Sequence, residues 1–463
     1  MKKYFTYFIL SLSAICFLSS CGEDRSGEFY ALIEDRMWIE ETMQEHYLWY
    51  ADMPVIENES DYFKEAGTFF KNLLSKNALN NKGDKYSYME QTTVETESKA
   101  ITLKRESTYG IEFELRSDPL QTTTHTYAHV LYVLPDSPAE EAGIQRGDWI
   151  TSINKAKITS DNYALLQTGN GVILCRSQIV GTEEGLAWQT GDTISLPTSI
   201  QMEINPFFLD SIYEVNGQKI AYLIYNEFAT GPQNEPADNT YNEKLKQLFS
   251  RFKAQAPDAF ILDLRYNPGG YLQCAQALGS VLAPASALDK DFIKLTFNDK
   301  TTPQTQHYPF DAQYAEANLN LEKIYILTSG YTASASEALI NGLKPYLGEE
   351  NVITIGQQTE GKNVAMTSYT NEIYGYTLWP VVAYVFNAND EGDYNDGMAP
   401  QYSLNENDYV HWFPLGDTRE LLLKNALSLI TTGNLPDYTP QTSQKEAAYS
   451  SLSQRSFRGV RIP

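Results

Sequence analysis

The run LTSGYTASASEALINGL, residues 327–343, leaves an apolar, strand-like segment (Lys323 to Leu327), turns at Gly330 and becomes an Ala-rich helix. Three hydroxyls crowd that junction. A serine where a strand turns into a helix can stand beside free backbone N–H groups, which can stabilise a developing oxyanion. The same residues admit a plainer reading. Ser334 with Glu337 three positions on has the spacing of a capping box, which satisfies orphan N–H donors at a helix start. Taken alone, the junction leaves both readings open.

Working outward, the flanking segments alternate in type. Ile220 to Tyr225 reads as strand, Asn239 to Lys253 as helix and Ala259 to Leu264 as a fully apolar strand. Leu272 to Leu282 then reads as helix, and Ile324 to Leu327 and Val352 to Ile355 as strands. Apolar strands separated by helices predict βαβ units around a buried sheet. Residues 206–434 are therefore expected to form one α/β domain with Ser334 near its middle.

Two more junctions in this domain carry unusual chemistry. At Asp263-Leu264-Arg265-Tyr266-Asn267-Pro268-Gly269-Gly270 a buried strand runs into paired glycines, which let backbone N–H groups approach a ligand closely. Asn-Pro-Gly is also ordinary turn chemistry. At Thr359-Glu360-Gly361-Lys362-Asn363 a lysine follows an apolar strand. An isolated lysine is usually a solvated charge, whereas a buried one can act as a base.

Bulk properties narrow the function. A length of 463 residues predicts roughly three domains, and 42% apolar residues with 32 Tyr and 20 Phe exclude a disordered chain. The net charge of −24 becomes −26 when residues 1–20, with Lys2 and Lys3, are set aside. So acidic a chain repels nucleic acid and anionic membrane surfaces. No Cys or Cys/His spacing suggests zinc, no cofactor is implied, and Cys175 and Cys274 read as separate buried thiols. A serine nucleophile needs an adjacent base. None of the five histidines, His46, His125, His129, His307 and His411, lies in a junction, although His307 or His411 could approach in space. A Ser334–Lys362 pair is the economical assignment. A Ser-x-x-Lys arrangement is disfavoured because Glu337 stands three places after Ser334. Lys344 lies about 15 Å along the helix axis.

The amino-terminal half reads as separate units. Residues 1–20 combine Lys2 and Lys3 with an apolar run to Leu18 that is too short to span a bilayer, which marks a leader. Leu18-Ser19-Ser20-Cys21 resembles a bacterial lipobox, which implies cleavage before Cys21 and lipid on its thiol. Gly22-Glu23-Asp24 resembles the surface-export signals of some lipoproteins. Residues 21–100 predict a small helical module. Ile33, Met37, Ile39, Met43, Tyr47 and Tyr50 approximate helical spacing up to Pro54, and a second helix is expected over Tyr62 to Leu74. Tyr109 to Phe113 and Val130 to Val133 alternate as half-buried strands. Between them and the α/β domain stands SPAEEAGIQRGDWITSIN, residues 137–154. This text resembles a PDZ domain, assigned here to residues 104–205. Pro138 starts a short helix, Gly143 ends it, and Gly147-Asp148 turn into the strand from Trp149. The resemblance implies a groove that adds a peptide as an extra strand, with Tyr109, Gly110, Ile111 and Glu112 in its carboxylate loop. A PDZ fold used only as spacer or gate is the plainer alternative. Residues 435–463, rich in Pro, Ser and Gln, read as a loosely attached tail.

Taken in order, the PDZ text, DLR-x-NPGG, TASASE and the Gly-Lys turn resemble the C-terminal-processing, or tail-specific, serine peptidases over residues 104–430. The resemblance implies a multidomain α/β chain with a ClpP/crotonase-like catalytic core, a preceding or inserted PDZ domain and the helical module. It implies Ser334, not Ser336, as nucleophile and Lys362 as general base. Gly269, Gly270 and Ala335 are the candidate oxyanion donors. Two positions depart from the pattern: Met366 stands where a glutamine often follows the lysine by four, and Gly-Lys-Asn replaces Gly-Lys-Gly. Glu337 and Gln358, with Gln357 and Glu360, are the candidates for orienting the lysine. The expected function is a serine endopeptidase of the bacterial cell envelope, on the periplasmic face or cell surface, held to the membrane through Cys21. It would act on unfolded proteins or exposed C-terminal tails, without metal or cofactor. The alternative is a catalytically inactive peptide-binding scaffold.

Overall fold

In chain order the elements group into three units. The computed structural model describes residues 26–91, 107–183, 185–203, 205–232, 234–440, 447–454 and 460–462. The expected leader, Cys21 and the acidic residues after it lie outside these. Helices α1 (Ser26–His46) and α2 (Ala66–Leu73) form the amino-terminal module, followed by strand β1 (Tyr88–Gln91). The helical stripe of Ile39, Met43 and Tyr47 packs with Phe69 and Phe70 against Val364, Met366, Leu378 and Val381. The module is thus no separate spacer: its apolar stripe completes a core with residues of the α/β domain.

The second unit is a sheet of five strands: β2 (Ile111–Ser117), β3 (Thr126–Val133), β4 (Trp149–Ile153), β5 (Asn170–Thr182) and β6 (Gly185–Thr198). The short helix α3 (Pro138–Glu141) has Ser137 as N-cap, its hydroxyl oxygen accepting the Glu140 N–H, and Pro138 in its first turn. In the β5–β6 hairpin β5 buries alternate residues, Val172, Leu174, Ser177 and Ile179 among them, whereas the β6 stretch Gly185 to Thr193 buries none and shows no alternation.

The third unit contains β7 (Phe207–Val215), β8 (Gln218–Tyr225), helix α4 (Thr240–Ala254), β9 (Ala259–Asp263), β10 (Gly270–Tyr271) and helix α5 (Leu272–Leu282). Then come β11 (Asp291–Phe297), β12 (Thr305–Pro309), β13 (Ile324–Thr328), helix α6 (Ala335–Leu347) and β14 (Val352–Gly356). It closes with β15 (Val364–Met366), β16 (Tyr369–Asn371), β17 (Tyr376–Trp379), β18 (Val381–Asn387), β19 (Tyr402–Ser403) and helix α7 (Leu421–Thr432). The central sheet has the order β19-β14-β13-β9-β8-β7, parallel from β8 to β19 with β7 antiparallel at one edge. Alternate residues explain why its strands are apolar throughout. Ala221, Leu223, Phe260, Leu262 and Ile326 face α4, α5 and α6, whereas Tyr222, Ile224, Ile261 and Leu327 face α7.

The tail is not loose. Strand β20 (Tyr449–Ser450) adds antiparallel to β2, and β21 (Val460–Arg461) lies between β10 and β15 in the sheet β10-β21-β15-β18-β11-β12. Its Pro/Ser/Gln content hid two strands, each only two residues long, whose partners are remote in sequence.

Candidate active site

Three neighbouring parallel strands, β9, β13 and β14, end on the same edge of the central sheet, and each feeds one of the three junctions. Crevices at the carboxyl ends of such strands are where α/β sheets place ligand sites. The loops are tied together through backbone atoms. Ala333 N–H donates to Asn267 O at 3.1 Å, Thr332 Oγ1 to Leu264 O at 2.8 Å, and Glu360 N–H to Thr332 O at 3.0 Å. Asn267 Nδ2 donates to Tyr225 O at 2.7 Å and anchors the glycine turn to β8.

Ser334 is the N-cap of α6, with φ 62° and ψ −113°. That backbone is in the strained positive-φ region. Its Oγ is buried and makes no hydrogen bond. Both arms of the capping-box arrangement are in place, but only one closes as a hydrogen bond: Glu337 Oε2 accepts the Ser334 N–H at 2.7 Å, while the serine hydroxyl makes none. Ser336, by contrast, is buried and donates its Oγ to Asn267 O at 3.1 Å. Of the two serines, only Ser334 has a free oxygen at the helix start.

Glu337 is the hub. Its fully buried carboxylate accepts the N–H groups of Ser334 and Lys362 on Oε2, at 2.7 and 2.8 Å, and those of Gly361 and the Thr359 hydroxyl on Oε1, at 2.7 and 2.5 Å. The Ser334 and Lys362 backbone nitrogens are thus no farther apart than those two Oε2 distances laid end to end. Burial pushes the Glu337 carboxyl up to about 7, against the lowering effect of its four donors.

Lys362 is buried. Its Nζ is 3.5 Å from Met366 Sδ and 4.4 Å from the centre of the Tyr86 ring. Tyr86 comes from the amino-terminal module, and its hydroxyl donates to Gly361 O at 3.4 Å. Nothing in its polar surroundings in the sequence marked Tyr86 for this place. The other candidates for orienting the lysine point elsewhere. Gln358 is exposed and donates to Asp396 O, and Glu360 pairs with Lys85 at the surface. His307 pairs with Asp291 on β11, and His411 is exposed.

The glycine turn lies against the serine. A Cβ on Gly269 (φ 107°) would come within 2.7 Å of Ser334 Cβ and 3.0 Å of Ala335 N. The Gly269 N–H is itself donated to Asn267 Oδ1 at 2.9 Å, so this member of the expected oxyanion set is already engaged. Behind the turn Arg265 is fully buried, with Asp263, Glu406 and Glu420 as ion-pair partners. Arg146, from the PDZ-like GIQRGD text, joins it by pairing with Glu406 and donating to Tyr266 Oη and Leu131 O. This network locks the second unit to the third. Among the described residues, no group of three or more His, Cys, Asp or Glu side chains could hold a metal ion.

This arrangement agrees with the comparisons to known proteins. The Peptidase family S41 profile matches residues 219–403, a PDZ domain profile residues 129–173, and the Peptidase S41 N-terminal domain profile residues 36–88. A crystal structure from Bacteroides fragilis, described as a putative S41 protease, superposes with a TM-score of 0.75 at 32% identity, covering 86% of this chain and 97% of that one. The chain belongs to peptidase family S41. Carboxyl-terminal-processing proteases of Picosynechococcus sp. and Synechocystis sp. are each 28% identical, over 55% and 64% of this chain. This S41 chain spans 56% and 65% of their respective lengths.

In this S41 chain the expected peptide groove is filled by the chain itself. Glu114 and Leu115 of β2 pair with Ser450 and Tyr449. Ser451 Oγ donates to Glu112 Oε2 at 2.6 Å and accepts the Phe113 N–H at 2.9 Å. Tyr109 and Ile111 are core residues. The Tyr109 hydroxyl accepts the Gly171 N–H at 2.9 Å, and Gly110 packs against Ser137. Of the four residues expected to receive a peptide, Glu112 makes a side-chain hydrogen bond to the strand-added segment. Cys175 and Cys274 are both free thiols, and Cys175 is only half-buried.

Proposed function

We propose that this chain is a serine endopeptidase acting on unfolded or C-terminal segments of proteins, with Ser334 as nucleophile and Lys362 as base. The observation that carries this reading is the uncommitted Ser334 Oγ, held by strained backbone at a helix start and joined to Lys362 through one oxygen of Glu337. In the reaction Ser334 Oγ attacks the scissile carbonyl and its proton passes to Lys362 Nζ. The oxyanion takes hydrogen bonds from the backbone N–H groups of Ala335 and Gly270 at the α6 start and the glycine turn. Lys362 then returns the proton to the leaving amine as the C–N bond breaks. Water, deprotonated by Lys362, resolves the acyl-enzyme. Glu337 takes no proton in this scheme. It positions the other two residues. The lipobox resemblance at Leu18 to Cys21 supports a lipid-anchored place on the cell envelope.

A peptide-binding scaffold without catalysis is the competing reading, favoured by Met366 where a glutamine would hold the lysine. Incubating residues 22–463 with an unfolded protein at neutral to mildly alkaline pH separates the two. Cleavage lost in both Ser334→Ala and Lys362→Ala supports the peptidase. Cleavage equal in wild type and both variants rejects the pair, and binding without cleavage in the wild type favours the scaffold.

A further inference from the structure

Strand β21 is inserted into the interior of a sheet, between β10 and β15. Val460 pairs in parallel with Gly270 on one side and Ala365 on the other; Arg461 pairs with Tyr271 and Met366. The Ile462 N–H continues the ladder to Met366 O at 3.1 Å. Without these residues, β10 and β15 would face each other across a gap one strand wide, about 9.5 Å from twice the usual strand spacing. The two walls of that gap are the strands that carry the site. β10 begins at the glycine next to the one packed on Ser334, and β15 begins two residues after Lys362.

The slot also reads side chains, because alternate residues of a strand point to opposite faces. Val460 and Ile462 are both buried in the main apolar core beside α5 and α6. Arg461 turns the other way. Its guanidinium carbon lies 4.5 Å from the centre of the Trp379 ring and 5.9 Å from that of Tyr271, and Nη2 is 3.4 Å from Tyr88 Oη. Aromatic faces around a desolvated guanidinium favour a cation over a neutral or acidic side chain. The opposite walls therefore ask for different chemistry: branched apolar residues on one, a cation on the other.

We infer that this slot is a strand-addition site for peptides, that the chain's own Val460–Ile462 is its resident occupant, and that the Tyr88–Tyr271–Trp379 wall selects a cationic side chain flanked by branched apolar residues. The tail is then an intramolecular competitor that a protein substrate must displace. That last consequence rests on the peptidase reading; the slot and its selectivity do not. The same carboxyl-terminal segment also supplies β20 to the β2 edge. One stretch of chain thus occupies strand positions on both the PDZ sheet and the sheet beside Ser334.

The test uses an N-terminally labelled peptide with the sequence of residues 456–463 (SFRGVRIP) and Ser334→Ala protein, so that no cleavage is needed. A chain ending at Gln454, its folding checked by thermal unfolding, should bind the peptide saturably and at least ten-fold more tightly than the full chain. A peptide carrying Glu at the position of Arg461 should bind at least ten-fold more weakly. Should the shortened chain fail to fold, full-length Arg461→Glu serves instead, and is expected to admit the labelled peptide more readily than the full chain without that change. Equal binding by shortened and full chains, or equal binding of the Arg and Glu peptides, overturns the inference. In parallel, catalytically intact protein is assayed for cleavage. Selective peptide binding without any cleavage keeps the slot and sinks the peptidase reading. Cleavage with unselective or absent peptide binding does the reverse.

Discussion

Lys362 Nζ meets Met366 Sδ at 3.5 Å, four residues on along the same segment. A thioether is a weak acceptor, so what Met366 contributes to the lysine's position, beside the face of Tyr86, is a soft contact. Leucine keeps the volume of methionine and removes the sulfur, a swap that usually costs under about 1.5 kcal/mol in a core. Met366→Leu is expected to fold normally and to lower kcat about ten-fold with KM unchanged. Steady-state kinetics on a peptide substrate checks this. An unchanged kcat would show that the sulfur does not position Lys362.

The Glu337 carboxylate has only donors around it: three backbone N–H groups and one hydroxyl. Glu337→Gln points an amide NH2 at some of them, leaving donors facing donors in a buried site. The expected cost is about 2–4 kcal/mol, with a fall in kcat because Ser334 and Lys362 lose their common tether. Chemical denaturation and kinetics on the same sample measure both. A variant as stable and as active as wild type would remove Glu337 from the design.

The same residue sets a pH dependence. Burial raises its folded-state value to about 7 from 4.5, so between those values the folded chain holds a proton that the unfolded chain releases. Stability from this group is therefore full below about 4.5, falls as pH rises through the window, and is level above about 7. The contribution amounts to roughly 3 kcal/mol at 1.36 kcal/mol per unit. Subtracting the unfolding free energy of Glu337→Gln from that of wild type at each pH isolates it. The difference should decline from pH 4.5 to 7, and a rising difference contradicts the assignment.

These outcomes also mark what could be read from residues alone. The three junctions were legible because each sits where a fully apolar strand ends in Gly, Ser or Asn chemistry, and parallel pairing of β9, β13 and β14 brings such ends together. The Glu337 spacing was visible, but its bonds to residues 22 to 25 positions away depend on strand order. Tyr86 and Trp379 were illegible, since no local pattern says which remote aromatic lies over a lysine or an arginine. Strands β20 and β21 were hidden for the same reason: two-residue strands take their conformation from partners, not from propensity.

Ser334 costs stability. Its positive φ is strained and its buried hydroxyl forgoes a hydrogen bond. Ser334→Ala removes the unsatisfied oxygen while leaving the backbone as it is. The variant is expected to be more stable by about 0.5–2 kcal/mol and to lack peptidase activity. Thermal unfolding of both proteins decides it; a clear loss of stability would mean that the hydroxyl serves as a structural cap.

Arg146 and Arg265 share Glu406 in a buried cluster that also holds Asp263 and Glu420. Removing one partner from such a cluster leaves charges without water or counter-charge, at about 3–5 kcal/mol. Arg146→Ala should therefore loosen the PDZ unit from the catalytic unit, with earlier cleavage in the connector, residues 199–206, under limited proteolysis. Unchanged proteolysis and melting would show that packing of Tyr132, Phe208 and Trp412 suffices at this junction.

Gly269 and Gly330 flank the same serine but differ in what surrounds them. An added methyl at Gly269 would sit 2.7 Å from Ser334 Cβ and 3.0 Å from Ala333 O, on a backbone of φ 107° that L-residues rarely adopt. At Gly330 nothing lies within 4 Å and φ is not in the left-handed range. Gly269→Ala is expected to lose at least about 2 kcal/mol of stability and about 100-fold in kcat, since a shift of the order of 1 Å in the nucleophile is enough for that loss. Gly330→Ala should match wild type in both. Kinetics and unfolding on the two variants side by side provide the measurement. Equal behaviour of the two would mean that the turn at Gly269 yields without moving Ser334.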